Sequence, residues 1–173
     1  MRAYLTRDQA RLGMALLLLT DALFFFFLIL AFIYFRDQSL RTAALSLDLR
    51  VTAGWTACLL ASSFSMWRAA AGPRRRFWLG ITIMLGLVFF LGQGNEYLRI
   101  LRDGIAISQG LFATTFFTLA GVHGLHVLIG ILLLAILLWL ADPTATAVIA
   151  MYWHFVAAVW IAIFSIVYLW TFL

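Results

Sequence analysis

Five long apolar runs, set apart by short polar stretches, make up almost the whole chain, at about residues 11-35, 50-71, 77-101, 110-140 and 147-172. Each meets the length of roughly 20 apolar residues that a membrane-crossing helix needs. The predicted fold class is therefore an all-α integral membrane protein, a five-transmembrane-helix bundle, with residues 1-173 forming a single transmembrane domain and almost no chain left over for a soluble one. The polar stretch at 36-50 has room for a short amphipathic turn, and Asp142-Pro143 breaks the chain between the fourth and fifth runs. No internal repeat at a fixed period is apparent.

Composition agrees: 65% of the residues are hydrophobic and 16% aromatic, with a mean hydropathy of +1.05, values that exclude an ordinary soluble domain. Arg2, Arg7 and Arg11 precede the first run as they would in a secretory signal. That run is too long for a signal's apolar region, contains Asp21 and is followed by no A-x-A site, so an uncleaved helix is expected. Cys58, alone in the second run, rules out an internal disulfide and CxxC chemistry and reads as a small packing residue.

The basic residues are all arginines, and they give a net charge of +5. In a soluble protein this would point to nucleic acid; here the arginines fall at the ends of the apolar runs, where membrane topology places them. Arg2, Arg7, Arg11, Arg68, Arg74, Arg75 and Arg76 fall on one side, against Arg36, Arg41, Arg50, Arg99 and Arg102 on the other. The excess predicts a cytoplasmic N-terminus and, after five crossings, an external C-terminus. Gly72-Pro73-Arg74-Arg75-Arg76 reads as an inner-face turn near anionic headgroups.

Polar groups inside the apolar runs are expensive and mark the sites to be explained. His123 and His126, three residues apart in the fourth run, could serve a metal, a haem or a proton route. They leave neighbouring sides of one helix, so they cannot sandwich a haem, and with one distant carboxylate they fall short of a metal's ligand set. His154 lies at a different depth by about 10 Å, reckoned from helical rise. The favoured reading is neutral imidazoles bonded across the bundle to a hydroxyl, a backbone carbonyl or Asp21. Asp21 itself stays open as a proton-handling group or a lipid or subunit contact. Gln93, Glu96 and Tyr97 form Q-x-x-E-Y near the end of the third run; Arg99 can pair with Glu96, anchoring the helix at the interface or holding a phospholipid headgroup. Gly121, Gly124 and Gly130 are expected where helices approach closely. Trp153, Trp160 and Trp170 are partly interfacial residues. No phosphate loop and no nucleophile-histidine-acid set is present.

Taken together, these residues resemble subunit III of the haem-copper terminal oxidases over nearly the whole chain. The resemblance is carried by Leu12-Gly13-Met14 with Thr20-Asp21-Ala22-Leu23-Phe24-Phe25, by Leu60-Ala61-Ser62-Ser63-Phe64, and by the Q-x-x-E-Y of Gln93, Glu96 and Tyr97. It continues with Phe112-Ala113-Thr114-Thr115-Phe116-Phe117, then Gly121, His123-Gly124-Leu125-His126-Val127 and Gly130, and closes with Tyr152-Trp153-His154-Phe155-Val156 and Trp160. Ala157 stands where the family usually has Asp, so any polar contact made there is lost.

The resemblance implies the short, five-helix form, as in the bo-type quinol oxidases. It implies a non-catalytic accessory subunit with no cofactor of its own, packed on a subunit I that holds the haems and copper, with subunit II and a further small subunit as other partners. It also implies a multi-pass place in the bacterial cytoplasmic (inner) membrane and support of proton uptake and turnover lifetime, partly through bound phospholipid. Asp21, Gln93, Glu96, Tyr97, His123, His126, His154 and Trp160 are the expected lipid-contacting or bundle-pinning positions. Nucleic acid is not an expected partner. A subunit of a related nitric oxide reductase and a small membrane transporter are the rival readings.

Overall fold

The computed structural model describes residues 7-35, 49-102, 111-140 and 142-169. Arg2, Arg36, Arg41, Trp170 and all but the last two residues of the stretch at 36-50, where a short amphipathic turn is expected, lie outside these residues, as do the side chains of Phe112 and Ala113. The described residues form five helices: α1 (Arg7–Tyr34), α2 (Leu49–Ala71), α3 (Arg75–Arg102), α4 (Leu111–Leu140) and α5 (Pro143–Phe164). A π-helical turn, Ser165–Leu169, continues α5.

Four of the five, α1, α3, α4 and α5, are long and apolar enough to cross a membrane on those grounds alone. α2 differs in composition. At 23 residues it spans about 35 Å, but Thr52, Thr56, Ser62, Ser63 and Ser65 make it less apolar than its neighbours. Four of those hydroxyl residues are buried, so its polarity faces the bundle and its apolar side chains, such as Leu60, Phe64 and Trp67, face outward.

α5 begins at Pro143, earlier than position 147, because Asp-Pro is a start signal as well as a break. The Asp142 carboxylate accepts from the Ala145 backbone N–H at 2.6 Å, and Pro143 occupies the first helical position, where its missing N–H is not needed. α2 and α3 form a hairpin through residues 72-74. The Gly72 N–H donates to the Arg68 carbonyl at 3.0 Å, and the Arg68 guanidinium lies 5.4 Å from the Trp78 ring centre.

α5 packs on α1, α2 and α4, while α3 closes the bundle between α2 and α4. The share of each apolar stretch buried within the chain follows this order, from 11% for α1 to 44% for α5. The core is aromatic and aliphatic, centred on Phe32, Phe89, Trp153, Trp160 and the Leu134–Leu137 side of α4. Leu16, Phe24 and Phe27 on α1, and Leu132 and Ile136 on α4, point outward. In a bilayer such side chains face lipid at no hydrophobic cost.

Candidate functional site

Three groups of polar side chains join particular helices. The first joins α2 to α5. The indole N–H of Trp160 donates to Thr56 Oγ1 at 2.9 Å, that of Trp153 donates to Ser62 Oγ at 3.1 Å, and His154 Nδ1 lies 2.6 Å from Ser63 Oγ. Residues 56 and 62-63 lie about two turns apart on α2, as do 160 and 153-154 on the antiparallel α5, so the pairs sit in register. On the other side of α2, Ser65 and Thr82 of α3 share a hydrogen bond of 2.8 Å.

Trp153, fully buried, is held on both sides by glycine. A Cβ added at Gly86 of α3 would stand 2.8 Å from its ring, and one at Gly130 of α4 also 2.8 Å. One side chain of α5 thus touches α2, α3 and α4, and the two glycines make the room. Sequence reasoning placed Gly130 at a helix contact but missed Gly86, along with Gly92, whose missing side chain admits the ring of Trp55. The glycines recurring on α3 at 80, 86 and 92 were the available signal.

The second group joins α1 to α4 and α5. His126 Nδ1 lies 2.8 Å from the Val122 carbonyl, which can only accept, so Nδ1 carries the proton. Nε2 then faces Asp21, with Oδ2 at 3.7 Å, longer than a direct hydrogen bond. The two facing atoms attract only when one of them holds a proton. The Tyr152 hydroxyl donates to the His126 carbonyl at 3.0 Å, and the Phe25 ring sits edge-on to His126, 5.0 Å between centres.

The third group lies between α3 and α4. Tyr97 donates to the Phe117 carbonyl at 3.2 Å, and their rings meet edge to face at 4.8 Å. Arg99 stands 4.0 Å from the buried carboxylate of Glu96, a loose pair one turn along α3. Among the described residues Gln93 Oε1 is buried without a hydrogen-bond partner. So are both ring nitrogens of His123, a residue only 1% exposed, whose ring stacks on Trp160 at 5.0 Å and is edged by Phe25 and Phe89. His123, Gln93 and Trp160 line a cavity of about 360 Å³ between the two helices.

The sequence places Gly121, Gly124 and Gly130 alike at helix contacts, and the structure separates them. A Cβ at Gly124 would meet nothing within 4 Å, and one at Gly121 would make only ordinary contact, 3.6 Å from the Tyr97 hydroxyl. Both border the cavity. Among the described residues the approach expected at Gly124 is therefore not made, because α3 and α4 part there. Among the described residues no three His, Cys, Asp or Glu side chains converge as metal ligands would.

Residues 56–172 match the family model described as Cytochrome c oxidase subunit III. The chain belongs to that family. A "Cytochrome c oxidase subunit 3" of Synechocystis sp. is 31% identical over 180 residues, covering 94% of this chain and 76% of the relative. A "Probable cytochrome c oxidase subunit 3" of Mycobacterium leprae is 37% identical over 127 residues, 65% of this chain and 63% of its own. A "Cytochrome bo(3) ubiquinol oxidase subunit 3" of Pseudomonas aeruginosa is 37% identical over 128 residues, 66% of this chain and 61% of its own. The chain spans somewhat under two thirds of the length of the last two. Of the motifs that carry the subunit III resemblance, the serine pair of α2 and the Tyr-Trp-His run of α5 meet in space, and Asp21 meets the second histidine of the His-x-x-His pair.

Proposed function

We propose that this chain is an accessory subunit III of a respiratory haem-copper oxidase, in the bacterial cytoplasmic membrane, with no redox centre of its own. It packs on the subunit I that holds haem and copper, with subunit II and a further small subunit nearby. It contacts phospholipid near Arg99 and Glu96 and supports proton uptake and the turnover lifetime of the complex. The observation that carries this reading is the use of the family's motif residues as struts. Thr56, Ser62 and Ser63 hold Trp160, Trp153 and His154, which leaves them stabilising a rigid bundle rather than forming a reaction centre.

The test is removal of this chain from its purified complex, after haem spectrum and subunit masses have identified the partner. The initial rate of oxygen reduction should stay largely intact while the number of turnovers before inactivation falls, and Asp21→Ala should reproduce part of the loss. An inactive complex with intact haems, or an unchanged lifetime, overturns the accessory role.

A further inference from the structure

His154 has a ring nitrogen that is neither bonded nor enclosed. Its Nδ1 lies 2.6 Å from Ser63 Oγ, the ring's single hydrogen bond among the described residues. Both nitrogens of His123 are sealed inside the bundle, whereas Nε2 of His154 is open to its surroundings. Whichever atom holds the proton shared with Ser63, Nε2 is left as an N–H or as a bare acceptor.

Two observations fix its depth. The apolar stretch of α5, Pro143–Val167, is centred on residue 155, one residue from His154, which puts His154 about 2 Å from the middle of the membrane. The Tyr152 hydroxyl meets the His126 carbonyl, and residue 126 is likewise one from residue 127, the centre of the α4 stretch Thr114–Leu140. His154 thus stands near the level of His126. The offset of about 10 Å expected from the sequence is not found, because α5 starts at Pro143 and has an extra turn on its inner side.

At that depth few groups can reach Nε2 with a hydrogen bond. The ester groups of a phospholipid lie at the edge of the hydrocarbon layer, about 15 Å from its middle, so lipid offers His154 only acyl chain. Another protein can offer a polar side chain. The face of α5 that carries His154 suits one: Ala147, Met151, His154, Ala158, Ile161 and Ser165 recur every four and three residues, and all are at least partly exposed. Ala147, Ala158 and Ser165 are small enough to let a second helix backbone approach. Beside them Leu60, Phe64 and Trp67 of α2 are exposed, on the side of Ser63 turned away from the buried Ser62.

We propose that this face of α5, with the adjoining edge of α2, seats a membrane-crossing helix of another subunit, which presents a hydroxyl, amide or carboxyl side chain to His154 Nε2 near the middle of the bilayer. On the accessory-subunit reading, on which this rests, that helix belongs to the chain's oxidase partner.

The test is photocross-linking of the native complex in its membrane, with p-benzoylphenylalanine placed at position Met151 or Ile161 and the products identified by mass spectrometry. Both positions should join this chain to one and the same helix of another subunit. Cross-links to lipid alone, or to a second copy of this chain, overturn the proposal. His154→Asn keeps a polar group toward Ser63 but loses the outward one, while His154→Gln keeps a polar group near the place of Nε2. His154→Asn should weaken retention of this chain in the detergent-solubilised complex by about three- to twentyfold, as for an interhelical hydrogen bond in a membrane, and His154→Gln should restore most of it. Unchanged retention in His154→Asn, or equal losses in the two variants, overturns the outward bond. Cross-linking is read without turnover. A partner helix found together with an unchanged turnover lifetime leaves the docking face standing and the accessory role overturned; lipid alone with a shortened lifetime does the reverse.

Discussion

Trp153 ties α5 to three other helices, because its ring fills the space left by two glycines while its N–H reaches a third helix. Substituting either glycine forces the ring or a backbone to move, and overpacking of this kind costs about 1–3 kcal/mol. Gly130→Leu is thus expected to lower the melting temperature of the detergent-solubilised protein clearly, and Gly124→Leu, which meets nothing, to leave it nearly unchanged. Thermal unfolding of the two variants side by side checks this; equal losses would mean that Gly124 is covered by a partner. Ser62→Ala removes the acceptor of the Trp153 N–H and should cost about 0.6–2 kcal/mol in the same measurement. Residue type alone marks His123, His126 and Asp21 as needing partners. Which of them finds one depends on neighbours more than 90 residues away in sequence, or on another helix, as Asp21 lies opposite His126 while among the described residues both ring nitrogens of His123 are left without one.

Each helix has a start, a stop and a buried face, and the chain sets these to different degrees. The start of α5 is local: Asp142 caps it and Pro143 opens it. Asp142→Ala should cost about 1 kcal/mol, seen as amide exchange about fivefold faster over residues 144–146, whereas Asp142→Asn keeps the acceptor and should leave exchange unchanged. The extent of α4 is equally local, since nothing but apolar residues and the two histidines follows Thr118 until Leu140. The buried face is another matter. α4 is apolar all round, so periodicity does not say which side meets α3 and which meets lipid. α2 is the exception, because its buried hydroxyls at 56 and 62 mark the side toward α5 and that at 65 the side toward α3.

At the scale of the whole molecule, the arrangement of α5 against α1, α2 and α4 fixes which helix surfaces remain for lipid or for partner subunits, while orientation in the membrane rests on arginine. A cytoplasmic N-terminus requires Asp8→Cys and Arg74→Cys, both exposed positions, to react with an impermeant thiol reagent only from the cytoplasmic side, and Arg102→Cys only from outside. The opposite pattern would reverse the assignment. The amino-acid sequence by itself determined that the chain is helical and membrane-embedded, about where its helices run, and which family it belongs to. These depend on run length, local start and stop signals and residue order, all of which are properties of neighbouring positions. Only the tertiary structure decided that Gly86 and Gly130 clasp Trp153 while Gly124 opens on a cavity, that the serines of α2 bond the aromatic run of α5, and that His123 is left without a partner. Those outcomes depend on the rotation of each helix about its axis, which a helix apolar on every side leaves undetermined until its neighbours pack against it.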